Sequence, residues 1–194
     1  MHDMVTESTS FEEPLAGLGQ LLEERERRYE LLAIGGGALQ LLGLITRSTK
    51  DIDVVALVED GIAIPIPALP GPLRQAVEDT ARVLRLPPEW FNAGPRSLME
   101  LGLPDGSVKR SHRRQWGGLI LHLADRRDQV FFKLYAAVDQ GPRSKHFDDL
   151  RRLGPTVEEL RAAASWARSH DPSPGFATEL RGALRDLGYP DGFD

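Results

Sequence analysis

The sequence predicts an α/β (α+β) protein in which a small mixed sheet is flanked by helices and followed by a helical C-terminal part. Short apolar runs bounded by glycine or aspartate predict strands at residues 30–35, 51–58 and 117–125. Segments with apolar residues at helical spacing separate these runs. Beyond residue 125 the patterns are helical, so the predicted strands belong to the first two thirds of the chain.

The N-terminal elements alternate between helix and strand. A first helix is expected from Pro14 onward, because proline is tolerated in a first helical turn and leucines follow at helical spacing. A buried strand over residues 30–35 ends at a run of glycines, and residues 37–44 form a helix too short to be stable without packing. The second strand covers residues 51–58.

The middle of the chain is less regular. Residues 59–72 contain prolines too dense for a helix or a central strand, so this segment is expected to be a loop, an edge strand or a lid. Residues 73–86 form an amphipathic helix. Proline and glycine punctuate residues 87–107, which predicts an ordered but irregular connection. The third strand, residues 117–125, alternates leucines with Ile120 and His122.

The C-terminal part is predicted to consist of four helices. Thr156 precedes the third of them, and Glu159 stands three residues later, as in a capping box. The four helices are expected at residues 126–139, 144–153, 156–171 and 174–188.

Length suggests one large domain or a core domain with an appendage. The 194 residues are expected to divide into a flexible N-terminus (1–13), a core (14–128) and a helical C-terminal part (129–194) that completes the site. The N-terminus lacks the basic and apolar blocks of a signal peptide, and no apolar run is long enough to span a membrane. A cytoplasmic protein without membrane contact is expected.

Composition excludes several kinds of site. The chain has no cysteine, so it has no disulfide, no thiolate zinc cluster and no cysteine nucleophile. A net charge of -5 argues against extensive electrostatic coating of nucleic acid. The basic stretch at residues 108–116 still allows local contact with phosphate.

Three glycines and two aspartates carry the strongest chemical signal. Glycines 35–37 between a strand and a helix let the backbone approach an anion such as phosphate closely, although glycines also simply relieve crowding in a turn. Asp51 and Asp53 lie two residues apart, so both face the same side of a strand. Paired carboxylates suit Mg²⁺, whose remaining ligands are water and phosphate oxygens.

The direction of the second strand decides between two interpretations. A dinucleotide-binding turn needs a third glycine where Gln40 stands, and its ribose-binding acid lies at the end of the second strand rather than at its start. If the first two strands are antiparallel, the start of the second lies beside the glycines. The carboxylates and the glycines then form one site suited to phosphoryl or nucleotidyl transfer.

Residues 35–53, GGGALQLLGLITRSTKDID, resemble a known signature. Two glycines followed by R-x-[ST]-x-D-x-D are typical of the DNA polymerase beta superfamily of nucleotidyltransferases, and the match here is to its minimal bacterial members, including the AbiEii-like toxin branch. Arg47 and Thr49 complete the pattern with Asp51 and Asp53. The resemblance implies a nucleotidyltransferase-like fold.

A second segment, KLYAAVDQGPRSKHFDDLRRL, is similar to a motif of the same toxin branch. That motif has a lysine in an apolar helix followed by R-x-[RK]-D-x-x-D-L, and the matching residues are Lys133, Arg143, Lys145, Asp149 and Leu150. His146 stands in place of the first aspartate, which makes Asp149 the candidate for the second catalytic acid. His146 is a candidate for a proton acceptor or for a packing or capping role.

The resemblance implies a metal-dependent enzyme that moves a nucleoside monophosphate from an NTP to a hydroxyl of a tRNA, a protein or a small molecule. It also implies a component of a toxin–antitoxin pair with a cognate partner. Mg²⁺ is the expected cofactor, held by Asp51 and Asp53, while a third metal carboxylate stays open between Asp125 and Asp128. The expected catalytic residues are Asp51, Asp53, Lys133 and Asp149, and the expected nucleotide-binding residues are Gly35, Gly36, Gly37, Thr49 and Lys133.

Two other functions fit parts of the same pattern. A catalytically silent nucleotidyltransferase fold acting as a binding or antitoxin module keeps the architecture without the chemistry. An NAD(P)-binding oxidoreductase requires parallel first and second strands.

Overall fold

A computed structural model describes residues 11–94 and 102–189 of the chain. Within these ranges the helices are α1 Glu12–Glu24, α2 Gly35–Leu41, α3 Gly71–Leu84, α4 Ser107–Arg110, α5 Arg126–Gln140, α6 Lys145–Leu153, α7 Val157–His170 and α8 Pro174–Asp186. The strands are β1 Tyr29–Ile34, β2 Ile52–Glu59, β3 Ile62–Pro65, β4 Phe91–Ala93, β5 His112–Trp116 and β6 Leu119–Leu123.

The six strands form one mixed sheet in the order β3-β2-β1-β6-β5, with β4 also paired to β2. The central pair, β1 and β2, is antiparallel, and Ile34 at the end of β1 lies opposite Asp53 at the start of β2. Strand β6 runs parallel to β1, and β5 runs antiparallel to β6. Helices flank this sheet, so the predicted fold class is confirmed.

Alternating residues of the sheet enter two cores. Leu31 of β1 and Leu121 of β6 face a core closed by α1 and α3. Leu32 faces the opposite core, where α5 contributes Phe132. The alternating leucines of β6 predicted this two-residue period. Helix α5 packs against the face of the sheet opposite to the one that contacts α1.

The C-terminal helices pack around a core of their own. Leu134 of α5, Leu150 of α6, Leu160 of α7 and Leu184 of α8 are buried together, and Leu39 of α2 joins them. Helix α7 begins with the predicted capping box between Thr156 and Glu159. Helix α2 therefore lies between the sheet and the C-terminal helices, which brings the glycine turn close to α5 and α6.

Some boundaries differ from the sequence prediction. Helix α1 begins at Glu12 rather than Pro14, and Phe11 before it is buried. The proline-rich segment at residues 59–72 contains the edge strand β3, and an edge strand was one of the alternatives predicted for it. Strands β4 and β5 were not predicted, because β4 has only three residues and β5 reads His-Arg-Arg-Gln-Trp.

Some predictions fall outside the described residues. These are most of the flexible N-terminus, residues 1–10, and part of the irregular connection, residues 95–101. Across the described part of the chain, the helices are all too short or too polar to cross a membrane.

Candidate active site

The glycine turn between β1 and α2 packs directly against the start of β2. A Cβ built on Gly37 would lie 2.5 Å from the backbone oxygen of Asp51, so only glycine fits there. A Cβ on Gly35 would lie 3.1 Å from Oδ2 of Asp53, and Gly35 has a φ of +75°, which favours glycine. The antiparallel pairing thus brings the glycines and both aspartates to one end of the sheet.

Thr49 and Arg47 reach the same turn from the loop before β2. A Cβ on Gly36 would lie 3.0 Å from Oγ1 of Thr49 and 3.1 Å from Nη2 of Arg47. Thr49 is buried, and its hydroxyl lies 3.5 Å from Oδ1 of Asp51. The four residues of the R-x-[ST]-x-D-x-D pattern therefore surround the glycine turn.

Asp53 is held in an environment that disfavours its charge. Burial and then the nearby Asp51 carboxylate raise the pKa of Asp53, while a hydrogen bond from Asn92 and the positive charges of Lys145 and Lys133 act in the opposite direction. Asn92 lies on β4, opposite Asp53 in the sheet register. A divalent cation would relieve the repulsion between the two carboxylates, so this pair fits a Mg²⁺ ion.

A buried charge cluster lies behind the glycine turn. Arg47 donates to both oxygens of Asp149, at 2.7 Å from Nε and 2.6 Å from Nη2, and Nζ of Lys133 lies 2.6 Å from Oδ2. The side chains of Asp149 and Lys133 are 0% and 3% exposed, whereas that of Arg47 is 24% exposed. Arg47 is therefore the cation of this cluster that is most accessible to a ligand.

The cluster depends on the charge of Asp149. Burial raises the pKa of this carboxyl, but hydrogen bonds from Arg47 and Lys133 outweigh burial and hold the pKa below its ordinary value. Burial lowers the pKa of Lys133, and Asp149 partly offsets that effect. One carboxylate thus compensates two cations, and the cluster carries a net positive charge next to the glycines.

The other candidate acids, Asp125 and Asp128, have partners of their own. Asp125 caps α5 by accepting from the backbone of Arg127, and it pairs with His112. Asp128 is buried in an ion pair with Arg110. Among the residues of 11–94 and 102–189, no group of three or more acids or histidines is arranged to hold a metal, so an ion at the carboxylate pair would take its remaining ligands from water and phosphate.

Gln129 is a site residue that sequence reasoning missed. Its side chain is fully buried, and its Oε1 accepts a hydrogen bond of 3.1 Å from the backbone N–H of Gly35. Helix α5 places it one turn before Lys133, on the same face. In the sequence Gln129 ends a polar run and directly precedes the apolar run that contains Lys133, so no sequence signal distinguishes it from an exposed polar residue.

His146 is neutral at neutral pH. Burial, followed by the positive charges of Lys133 and Lys145, lowers the pKa of His146 from 6.5 to about 4. Between these values the unfolded chain binds a proton that the folded protein does not, so stability decreases as the pH falls through this window.

We therefore expect the free energy of unfolding of His146→Gln to fall less than that of the wild type as the pH is lowered. The wild type should lose about 1 kcal/mol more than the variant between pH 7 and pH 5, with allowance for the partly exposed ring. Urea unfolding at both pH values measures this difference. Equal losses in the two proteins would contradict it.

Comparison with known families agrees with this geometry. Residues 15–96 match a family model described as a nucleotidyltransferase of unknown function (DUF6036). The match supports a nucleotidyltransferase family. Its segment includes the glycine turn and both aspartates but ends before Lys133 and Asp149. No curated protein and no solved structure matches the chain, so the AbiEii-like branch stays a prediction.

Proposed function

We propose that the protein transfers a nucleoside monophosphate from a magnesium-bound NTP to a hydroxyl acceptor. The observation that carries this proposal is the antiparallel pairing of β1 and β2, with Ile34 opposite Asp53. This register sets the carboxylate pair against the glycine turn. The same pairing is incompatible with the NAD(P)-binding arrangement, which needs parallel strands.

The paired aspartates are the proposed metal ligands. Asp51 and Asp53 offer hard oxygen ligands, and Mg²⁺ takes its other ligands from water and phosphate. When bound, the ion orients the triphosphate and offsets the charge that develops during transfer. Thr49, whose hydroxyl lies between Gly36 and Asp51, is the proposed hydroxyl donor to a phosphate oxygen.

The charge cluster supplies the positive field for the triphosphate. Arg47 is the exposed member, and Lys145 on α6 is an exposed cation that acts on Asp53. We assign Asp149 to positioning rather than to activation of the acceptor, because it is fully buried and both of its oxygens accept from cations. Lys133 acts through the same cluster, because its ammonium is buried and pairs with Asp149.

The proposed reaction is an in-line displacement at the α-phosphorus. The acceptor oxygen forms a bond to phosphorus, the bond between the α-phosphorus and the bridging oxygen breaks, and pyrophosphate leaves with those electrons. The acceptor proton passes to solvent. The chain's own contribution is to hold the phosphates at the glycine turn and to keep two cations beside them.

Asp53→Asn tests the proposal. We expect transfer from α-labelled NTPs to cellular RNA and protein to fall at least about a hundredfold, because a catalytic metal contributes several kcal/mol. The melting temperature should stay equal or rise, since the substitution removes a charge that burial and Asp51 disfavour. Loss of transfer together with unfolding would not count as support.

Asp60→Asn is the matched control. Asp60 lies in the exposed turn after β2 with a φ of +50°, a conformation that asparagine tolerates. This variant should keep full activity. Retained transfer in Asp53→Asn would remove the metal site from the mechanism.

A wild type that binds Mg·NTP but labels no acceptor would favour the catalytically silent binding module. If it binds no nucleotide, the nucleotidyl-transfer function is wrong. Where transfer occurs, mass spectrometry of the labelled product identifies the acceptor as RNA, a partner protein such as a cognate antitoxin, or a small molecule.

A further inference from the structure

We infer that Gln129 holds the glycine turn through one amide atom and contacts a phosphate oxygen of the nucleotide through the other. This inference rests on the proposed function, because it assigns a residue of the same site. Gln129 does not belong to either sequence motif, and it lies outside the segment that matches the family model.

The first half of the inference follows from the hydrogen bond to Gly35. Oε1 of Gln129 accepts from the Gly35 backbone at 3.1 Å, across 94 residues of sequence. Gly35 has a φ of +75° and faces Oδ2 of Asp53 on its other side. Gln129 therefore fixes the backbone of Gly35, which lies between Gln129 and Asp53 of the carboxylate pair. The N–H of Gly35 already donates to Gln129, so it is not available to a ligand.

The second half follows from the other end of the amide. Nε2 of Gln129 is buried and, within the described part of the chain, has no hydrogen-bond partner. A buried donor without an acceptor costs free energy that an incoming acceptor would recover. The hydrogen bond from the Gly35 N–H identifies the end of the amide that carries Oε1. The other end is therefore the NH₂ group, and the amide cannot flip to exchange the two without losing this bond.

The surroundings select an anionic acceptor. Lys133 lies one helical turn after Gln129 on the same face of α5, and Arg47 reaches the next glycine of the turn. Two cations that share one carboxylate, Asp149, and an unpaired amide donor thus lie near the glycine turn, and Asp51 and Asp53 supply the carboxylates for a metal bound to the same phosphate. A phosphate oxygen of a metal-bound triphosphate is the acceptor that fits this distribution of charge.

Two variants test the hydrogen bond to Gly35 and the contact with phosphate separately. Gln129→Met keeps the length of the side chain but removes both the acceptor and the donor. Gln129→Glu keeps an oxygen that accepts from Gly35 and, in its ionised form, removes the donor, so its turn should stay ordered even if the methionine variant fails to fold. Gln75→Met, on an exposed position of α3, is the control for the substitution itself.

Binding of magnesium tripolyphosphate and of Mg·ATP to the purified full chain is the measurement. Both Gln129 variants should bind each probe at least about tenfold more weakly than the wild type, which corresponds to about 1.4 kcal/mol. Gln75→Met should bind like the wild type. Amide hydrogen exchange at Gly35 should be slow in the wild type and in Gln129→Glu, and fast in Gln129→Met.

The outcomes distinguish this inference from the proposed function. If the wild type binds both probes and the Gln129 variants bind them equally well, the phosphate contact is wrong while the proposed function stands. Fast exchange at Gly35 in the wild type overturns the positioning half. If the wild type binds neither probe, both the proposed function and this inference fail.

Discussion

Asp149→Asn is expected to lower the free energy of unfolding by about 3–5 kcal/mol, because removing one partner leaves buried charge without compensation. Asp149 is the carboxylate that pairs with both Arg47 and Lys133, and it is completely buried. Asp148→Asn is the matched control, since Asp148 is the preceding residue and is exposed. Urea unfolding of the three proteins measures both effects, and equal stability of the two variants would contradict the role of the cluster.

A second substitution should cost less in this variant than it does in the wild type. In the Asp149→Asn background, Lys133→Met removes the ammonium that the first change leaves unpaired. We expect the double variant to be about 1–3 kcal/mol more stable than additivity of the two single variants predicts. Additive losses would mean that the two side chains do not depend on each other.

The effect of Asp149 also has a definite pH dependence. Its pKa in the folded protein lies below its ordinary value, as described above. Its stabilisation is therefore present above the unfolded pKa of about 3.9 and is lost as the pH falls through the lower folded value. The stabilities of the wild type and of Asp149→Asn should converge in acid.

Gly19→Ala is expected to cost about 3 kcal/mol, at the upper end of the range for overpacking. A Cβ at Gly19 would lie 1.9 Å from the backbone oxygen of Trp116, so α1 or the turn between β5 and β6 has to move. The turn itself is tied to the helix, because the N–H of Gly118 donates to the oxygen of Gly19 at 2.9 Å. Neither backbone can retreat without breaking this contact.

Gly17→Ala in the same helix provides the control. Its Cβ would meet Leu84 at 3.8 Å and Thr80 at 3.9 Å, which are ordinary van der Waals distances. This variant should gain about 0.5–1 kcal/mol, since alanine is the better helix former. Thermal and urea unfolding compare the two, and a Gly19→Ala protein as stable as Gly17→Ala would refute the close packing of α1.

Much of the fold was predictable because its signals are local. The strand over residues 30–35 is apolar and ends at glycine, and β1 occupies Tyr29–Ile34. The capping box of α7 needs only Thr156 and Glu159, three residues apart. Strands β4 and β5 escaped prediction because neither has an apolar run of its own. Strand β4 pairs over three residues, and the exposed charges of β5 are typical of an edge strand.

The candidate site was also predictable from the sequence only in part. The spacing of Thr49, Asp51 and Asp53 was visible in the sequence, as was the lysine at position 133. The sequence did not show that Lys133 pairs with Asp149, since Asp149 lies 16 residues away in the next helix. The motif marked Asp149 as a catalytic acid, whereas its burial and its two cations favour a positioning role.

The sequence by itself determined which groups are available: glycines without side chains to obstruct an approach, two carboxylates two residues apart where β2 begins, and a lysine in an apolar helix. Only the tertiary structure decided where these groups meet. The direction of β2 relative to β1, the bond from Gln129 to Gly35 and the pairing of Arg47 with Asp149, 102 residues apart, are contacts between distant segments. Such contacts leave no periodic trace along the chain, because they form only when separate elements pack.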